Sequence, residues 1–225
     1  MDIRFLGHSC FELVEGETVI LLDPFLTGNP KAAAEHHELD PTHVFLTHGH
    51  QDHFGDTVEI AKRTGATVVA ITEVAGELED AGVENVVGPN IGGSVEFDGG
   101  WVRVVPAWHT STTPSGTVCT PAGLVINLGG KTVYHLGDTA LFSDLALVPA
   151  RDHIDVALMC IGGFYTMDPT DAVVAAGLVK ADTVIPCHHG TFPPIEQDAH
   201  GFKDEVEAKT SSQVVVLEPG ETHTV

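Results

Sequence analysis

Positive charge is what this chain has least of. Ten lysines and arginines stand against 32 aspartates and glutamates in 225 residues, for a formal net charge of −22. A surface of that sign repels polyanions and argues against sequence-independent nucleic-acid binding. A small anionic substrate is not excluded, because two divalent ions in a cleft would add about four positive charges locally. No apolar run reaches the roughly 20 residues that span a bilayer, and the opening MDIRFLGHSCF has neither the long apolar stretch nor the small-residue cleavage site of a secretion signal. A cytoplasmic protein with no membrane partner is expected. Cysteine is sparse too: Cys10, Cys119, Cys160 and Cys187 form no CxxC pair. That argues against a zinc ribbon, a thioredoxin-like motif or a disulfide framework and predicts reduced core or loop thiols.

Apolar residues make up 43% of the chain, ample for a sizeable core, and there is no low-complexity linker or short-period repeat. One domain over residues 1–225 is expected. Alternating patterns predict strands at Ile3 to Leu6, Cys10 to Val14 and Thr18 to Leu22, joined by a hairpin at Glu15-Gly16-Glu17. A loop to Pro41 follows. Then come a strand over His43 to Thr47, a helix over Asp56 to Thr64, a strand over Thr67 to Ala70 and a helix over Glu73 to Ala81. From Val86 to Leu136 the pattern is mostly strands, interrupted by the Ser/Thr/Pro-rich loop His109 to Pro121. Helices near Phe142 to Val148, Pro169 to Val179 and Ala199 to Lys209 then alternate with strands Ile154 to Leu158, Thr183 to Ile185 and Gln213 to Leu217. Strand-rich blocks alternating with helices in both halves predict an α/β fold of two packed sheets flanked by helices, in a pseudo-duplicated αβ/βα layout.

Histidine is abundant. The 14 histidines outnumber lysine and arginine together. Three of them, with one carboxylate, fall within the six positions His48-Gly49-His50-Gln51-Asp52-His53, directly after an apolar strand. Alternate residues of a loop can point the same way, so His48 and His50 can chelate one ion while Asp52 and His53 face a second. Imidazole and carboxylate suit Zn²⁺, Mn²⁺ or Fe²⁺, and the lack of clustered thiolates leaves a coordination position for water.

This HxHxDH segment resembles the signature of the metallo-β-lactamase superfamily. The resemblance implies a four-layer αβ/βα sandwich of two mixed sheets, and a site completed by His109 at the end of Trp101 to Trp108, Asp138 in Tyr134-His-Leu-Gly-Asp-Thr139 and His188 at the end of Thr183 to Cys187. By that resemblance His48, His50 and His109 hold the first metal, Asp52, His53 and His188 the second, and Asp138 bridges both. Two divalent ions, zinc first with manganese or iron as alternatives, would lower the pKa of a shared water so that it attacks an ester, lactone or phosphodiester of a small molecule. Asp52, Asp138 and His8 are the expected catalytic side chains, His8 as a polar contact to substrate.

Within the superfamily the chain is similar to a subgroup of metal-dependent hydrolases related to L-ascorbate-6-phosphate lactonase. The residues carrying this are Gly7-His8-Ser9, Asp23-Pro24-Phe25-Leu26, Asn29-Pro30, Ile161-Gly162-Gly163 with Tyr165-Thr166-Met167, and Thr191-Phe192-Pro193. The subgroup has Tyr and Asn after the last ligand; His189 and Gly190 stand there, making His189 a neighbouring pocket group or a surface substitution. Asp23 is expected to accept a ligand imidazole N–H or to cap the turn at Pro24. His135 is expected to be structural, and Phe164, Tyr165, Met167 and Phe192 to line the loops around the site. A homo-oligomer is the expected assembly.

Other signals fail. Gly129-Gly130-Lys131-Thr132 mimics the tail of a phosphate-binding loop but has Val125 where that motif needs glycine. Gly7-His8-Ser9-Cys10-Phe11 lacks the closing glycine of a serine nucleophile elbow. Flavodiiron oxidoreductases share the fold but carry glutamate where His50 stands, and too few residues follow His188 for the helical substrate domain of glyoxalase II. The rival class is a metal-binding scaffold without turnover, which would bind metal tightly yet hydrolyse nothing in a broad panel.

Overall fold

Apolar side chains on alternate positions fold the first 22 residues into an antiparallel meander: β1 (Asp2–Gly7), β2 (Cys10–Glu15) and β3 (Thr18–Leu22). In the computed structural model, which describes residues 1–225, Ile3 lies opposite Leu13 and Leu13 opposite Ile20, so one face of all three strands is apolar and fully buried. The chain then turns to parallel strands with helical crossovers. These are β4 (His43–Phe45), α1 (Gln51–Phe54), α2 (Thr57–Thr64), β5 (Thr67–Val69), α3 (Thr72–Asp80) and β6 (Val86–Val87).

The second half repeats the scheme. An antiparallel meander of β7 (Ser94–Phe97), β8 (Gly100–Pro106), β9 (Ala122–Leu128) and β10 (Lys131–His135) passes into parallel β11 (Val156–Cys160), α4 (Pro169–Val179), β12 (Thr183–Cys187), α5 (Ala199–Lys209) and β13 (Gln213–Val214). Finally β14 (Thr222–Thr224) returns to pair with β1. The result is two seven-stranded mixed sheets, ordered β14-β1-β2-β3-β4-β5-β6 and β13-β12-β11-β10-β9-β8-β7.

Three apolar layers hold the sandwich. Between the sheets pack Ile3, Leu13 and Phe45 of the first and Leu124, Leu158 and Ile185 of the second. Outside, Ile60 and Leu78 of α2 and α3 cover one sheet, and Ala172, Ala176 and Phe202 of α4 and α5 cover the other. The two long helices of the second half start on carboxylate caps, Asp168 accepting from the Asp171 N–H and Asp198 from the Gly201 N–H, each at 2.9 Å. Such a cap contributes about 1 kcal/mol. No helix is long and apolar enough to cross a membrane.

The sequence expectations and the structure differ in five places. Phe142 to Val148 forms a 3-10 turn over Ser143–Leu147, since Phe142 offers no side-chain cap. The last expected strand shortens to Gln213–Val214, and strand β11 begins at Val156, two positions later than Ile154. Strand β14 and the one-turn helix α1 were not expected.

Candidate metal centre

The direction of each strand decides where its end points. β1, β3 and β4 run the same way in the first sheet, as do β8, β10, β11 and β12 in the second. His8 follows β1, Thr47 to His53 follow β4, His109 follows β8, Asp138 follows β10 and His188 follows β12. All open on one edge of the sandwich. His48 and His50 are on the loop out of β4, and α1 begins at Gln51, which puts Asp52 and His53 on its single turn.

The side chains gather in two groups. In the first are His48, His50, His109 and Asp138; in the second are His8, Asp52, His53 and His188; within each, one ligand atom per residue lies within 4.8 Å of the rest. His48 Nε2 is 3.1 Å from His50 Nδ1, and His109 Nε2 is 3.5 Å from Asp138 Oδ2. In the second group His188 Nε2 is 3.8 Å from Asp52 Oδ2. Asp138 sits between them, with Oδ1 3.3 Å from His53 Nε2 and Oδ2 3.1 Å from His188 Nε2 and 3.9 Å from His48 Nε2. Four ligands about 2.0 to 2.1 Å from a tetrahedral ion stand about 3.4 Å from one another, and these spacings fit such an arrangement.

The polar atoms left over point to the same conclusion. His53 Nε2, Asp138 Oδ1 and both ring nitrogens of His188 are buried without a hydrogen-bond partner. Unpaired buried groups of this kind are costly, and nitrogen and carboxylate lone pairs converging on shared points fit divalent cations. Burial, and then the neighbouring His53, keeps His48 well below the usual imidazole range; burial and His188 push His8 down to about 4. A neutral His48 is what ligation requires. Burial works against charge on Asp138, yet His188 and His53 outweigh it and hold the carboxyl well below its ordinary range.

Asp23 supports the loop from beneath. It is fully buried, its Oδ1 accepts from the Thr47 N–H at 2.8 Å, and its Oδ2 faces Thr47 Oγ1 at 2.7 Å, His53 Nδ1 at 2.8 Å and His135 Nε2 at 3.1 Å. His53 thus has Nδ1 tied to Asp23 and Nε2 aimed at the cluster. His135 is a structural partner of the same carboxylate. Of the four non-glycine residues with positive φ, three are His8 (60°), Asp23 (43°) and His188 (55°), so backbone strain collects at this edge. Gly137 (φ +65°), just before Asp138, also has no room for a Cβ, which would meet the Ala122 carbonyl oxygen at 2.5 Å.

His8 is buried behind Asp52 and does not line the cleft. Its Nε2 is 3.1 Å from Asp52 Oδ2 and its Nδ1 2.9 Å from Thr191 Oγ1. His189 lies on the far side, with Lys31 and Glu218 around a separate pocket of about 260 Å³. Over the histidine and aspartate cluster opens a cleft of about 600 Å³, whose wall includes Tyr165 and Phe192. Met167 instead is buried in the core beneath α4, and Phe164 projects into solvent beside Tyr165.

Sequence reasoning missed the residues that hold the cleft loop. Ser111 Oγ accepts the Gly49 N–H at 3.0 Å, and Glu77 on α3 accepts the hydroxyls of Thr113 and Ser115. Neither residue belongs to a motif, and only their approach across the fold reveals them. All four cysteines are free and buried, and Cys119 meets Ser111 Oγ at 2.9 Å.

Comparison with known proteins gives concordant matches. Residues 2–188 match the family described as Beta-lactamase superfamily domain. A UPF0173 metal-dependent hydrolase of Symbiobacterium thermophilum is 49% identical over 228 residues, with 100% of each chain covered. One of Methanopyrus kandleri is 48% identical, with 99% of each covered. Among solved structures, the metallo hydrolase Igni18 of Ignicoccus hospitalis matches with a TM-score of 0.90 at 36% identity, over 99% of this chain and 97% of its own.

Proposed function

Because the chain belongs to the Beta-lactamase superfamily, and within it to the UPF0173 metal-dependent hydrolases, we propose that its histidine and aspartate cluster is a two-ion centre that hydrolyses an ester, lactone or phosphodiester of a small molecule. The observation that carries this reading is Asp138: one buried carboxylate within 3.9 Å of ring nitrogens from both groups, with an oxygen that has no other partner. His48, His50 and His109 would hold one ion, Asp52, His53 and His188 the other, and Asp138 both. Zinc suits this donor set first; manganese and iron(II) are the alternatives. Divalent ions so held supply a water of lowered pKa and a Lewis-acid contact to the substrate's carbonyl or phosphoryl oxygen.

The chain's own residues do the positioning. Asp23 fixes the ring orientation of His53, and His8 holds Asp52 from behind while itself being held by Thr191. The loop pinned to Gly49 and Glu77 forms one wall of the cleft. The test combines elemental analysis of the purified protein with hydrolysis of p-nitrophenyl butyrate, δ-valerolactone and bis(p-nitrophenyl) phosphate, with and without chelator. Turnover that chelation abolishes and that falls at least 100-fold in His50→Ala and Asp52→Ala is expected. Metal binding with no turnover of any of the three, or full activity in either variant, would refute the reading.

A further inference from the structure

The walls of the cleft say more than its floor. Thirteen residues line it, and none is a lysine or an arginine. Its histidines, His50, His109 and His188, all belong to the metal cluster, and its acidic side chains, Asp52 and Asp138, belong there too. Away from the ions no cationic side chain can pair with an anionic group. A carboxylate or phosphate carried there would leave water for neutral hydroxyl and amide donors alone, on a molecule of net charge −22.

Apolar contact is plentiful instead. Phe25 and Phe192 stand with ring centroids 6.4 Å apart, Pro114 and Tyr165 add to the wall, and the hydroxyls of Thr110 and Thr112 supply uncharged hydrogen bonds. The loops that bring Thr110 to Pro114 and Tyr165 to the cleft also carry large apolar side chains into solvent: Trp108, Val118 and Phe164 are each at least two-thirds exposed. Apolar rings and chains exposed around a polar centre mark a ligand-binding rim more often than a bare surface.

Resting on the hydrolytic reading of the same centre, we propose that the cleft selects an uncharged ester or lactone with an apolar acyl or ring portion, and discriminates against substrates that carry an anionic group remote from the scissile bond. The reacting oxygen finds its positive charge at the ions. The rest of the substrate finds aromatic rings and threonines.

The experiment uses the full chain reconstituted with zinc and two matched pairs of probes. p-Nitrophenyl butyrate and p-nitrophenyl hemisuccinate differ only in a terminal methyl against a carboxylate. The kcat/KM is expected to favour butyrate at least tenfold, and Thr112→Arg, which places a cation on the wall, is expected to shrink that ratio to about threefold. A wild-type ratio near one, or a preference for hemisuccinate, overturns the proposal. Calorimetric titration with hexanoate and adipate, which differ by the same exchange, decides the matter even if no ester is turned over. Hexanoate binding at least tenfold tighter supports the substrate class. Equal affinity, tighter adipate, or no binding of hexanoate overturns it. Absence of turnover with hexanoate preferred would refute hydrolysis and leave the selectivity standing, so the two failures are told apart.

Discussion

Replacing Asp23 by asparagine removes one charge while leaving the shape in place. The carboxylate is fully buried, and its Oδ2 alone faces Thr47 Oγ1 at 2.7 Å, His53 Nδ1 at 2.8 Å and His135 Nε2 at 3.1 Å. Asparagine can still accept the Thr47 N–H through its carbonyl, but its amide nitrogen, a donor with no acceptor capacity, then stands where three groups met a carboxylate oxygen. His53 Nδ1–H then has no acceptor, and the ring is freed to carry its proton on Nε2, the atom that faces Asp138 Oδ1 at 3.3 Å. A protonated Nε2 cannot ligate. Losing the outer partner of a ligating histidine typically costs 10- to 100-fold in metal affinity, about 1.4 to 2.7 kcal/mol. The backbone need not move, because Asp23 has φ of 43° and asparagine tolerates that region. Competition against a chromophoric chelator, with thermal melts confirming that wild type and Asp23→Asn are both folded, measures the effect. Zinc affinity within about twofold of wild type in a folded variant would refute the claim that Asp23 sets the His53 tautomer.

Other outcomes are expected on the same grounds. Burial disfavours charge on His53, but Asp138 and Asp23, one at each ring nitrogen, outweigh it and raise the pKa well above the ordinary imidazole value of 6.5 in the metal-free protein. A raised folded-state pKa stabilises fully below the unfolded value and is lost as pH rises through the folded one. The Tm of chelated protein should therefore decline as pH climbs above about 7, and zinc uptake at pH 7 should release protons to an indicator dye in weak buffer; a flat alkaline profile with no proton release would contradict the buried ion pair. Gly49→Ala puts a Cβ 2.8 Å from Thr113 Cγ2 and 3.0 Å from Cys119 Sγ. Overpacking of about 1–3 kcal/mol corresponds to a Tm lower by at least 2 °C, and a variant melting with wild type would show that the cleft loop does not press on the HxHxDH segment.

Much of the fold was legible because its signals are local. The period-two alternation of Ile3 to Leu22, the start of α4 at Asp168 and the glycine turns need no knowledge of distant residues, whereas Asp56, equally a candidate cap for α2, makes no side-chain cap bond. Helix α1 was not legible, since four residues are too few for a periodic signal. Strand β14 was not legible either, because its partner β1 lies at the opposite end of the chain. In the site, His48, His50, Asp52 and His53 stood out by spacing alone as candidate ligands. His109, Asp138 and His188 were placed only by resemblance, as each is a single residue after an ordinary strand. His8, expected near the site as a polar contact to substrate, stands at the cluster against Asp52 and Thr191.

The amino-acid sequence alone determined the donor set, imidazoles and carboxylates with no clustered thiols, and thereby the kind of ion and chemistry the chain can support. Tertiary structure alone decided that five strand ends share one edge, that Asp23 stands under His53 and Glu77 behind the cleft loop, and that none of the ten basic side chains reaches the cleft. The reason is geometric. Ligand type is a property of a residue, whereas which side chains face one another depends on strand direction and sheet register, and those are settled only when distant apolar faces pack together.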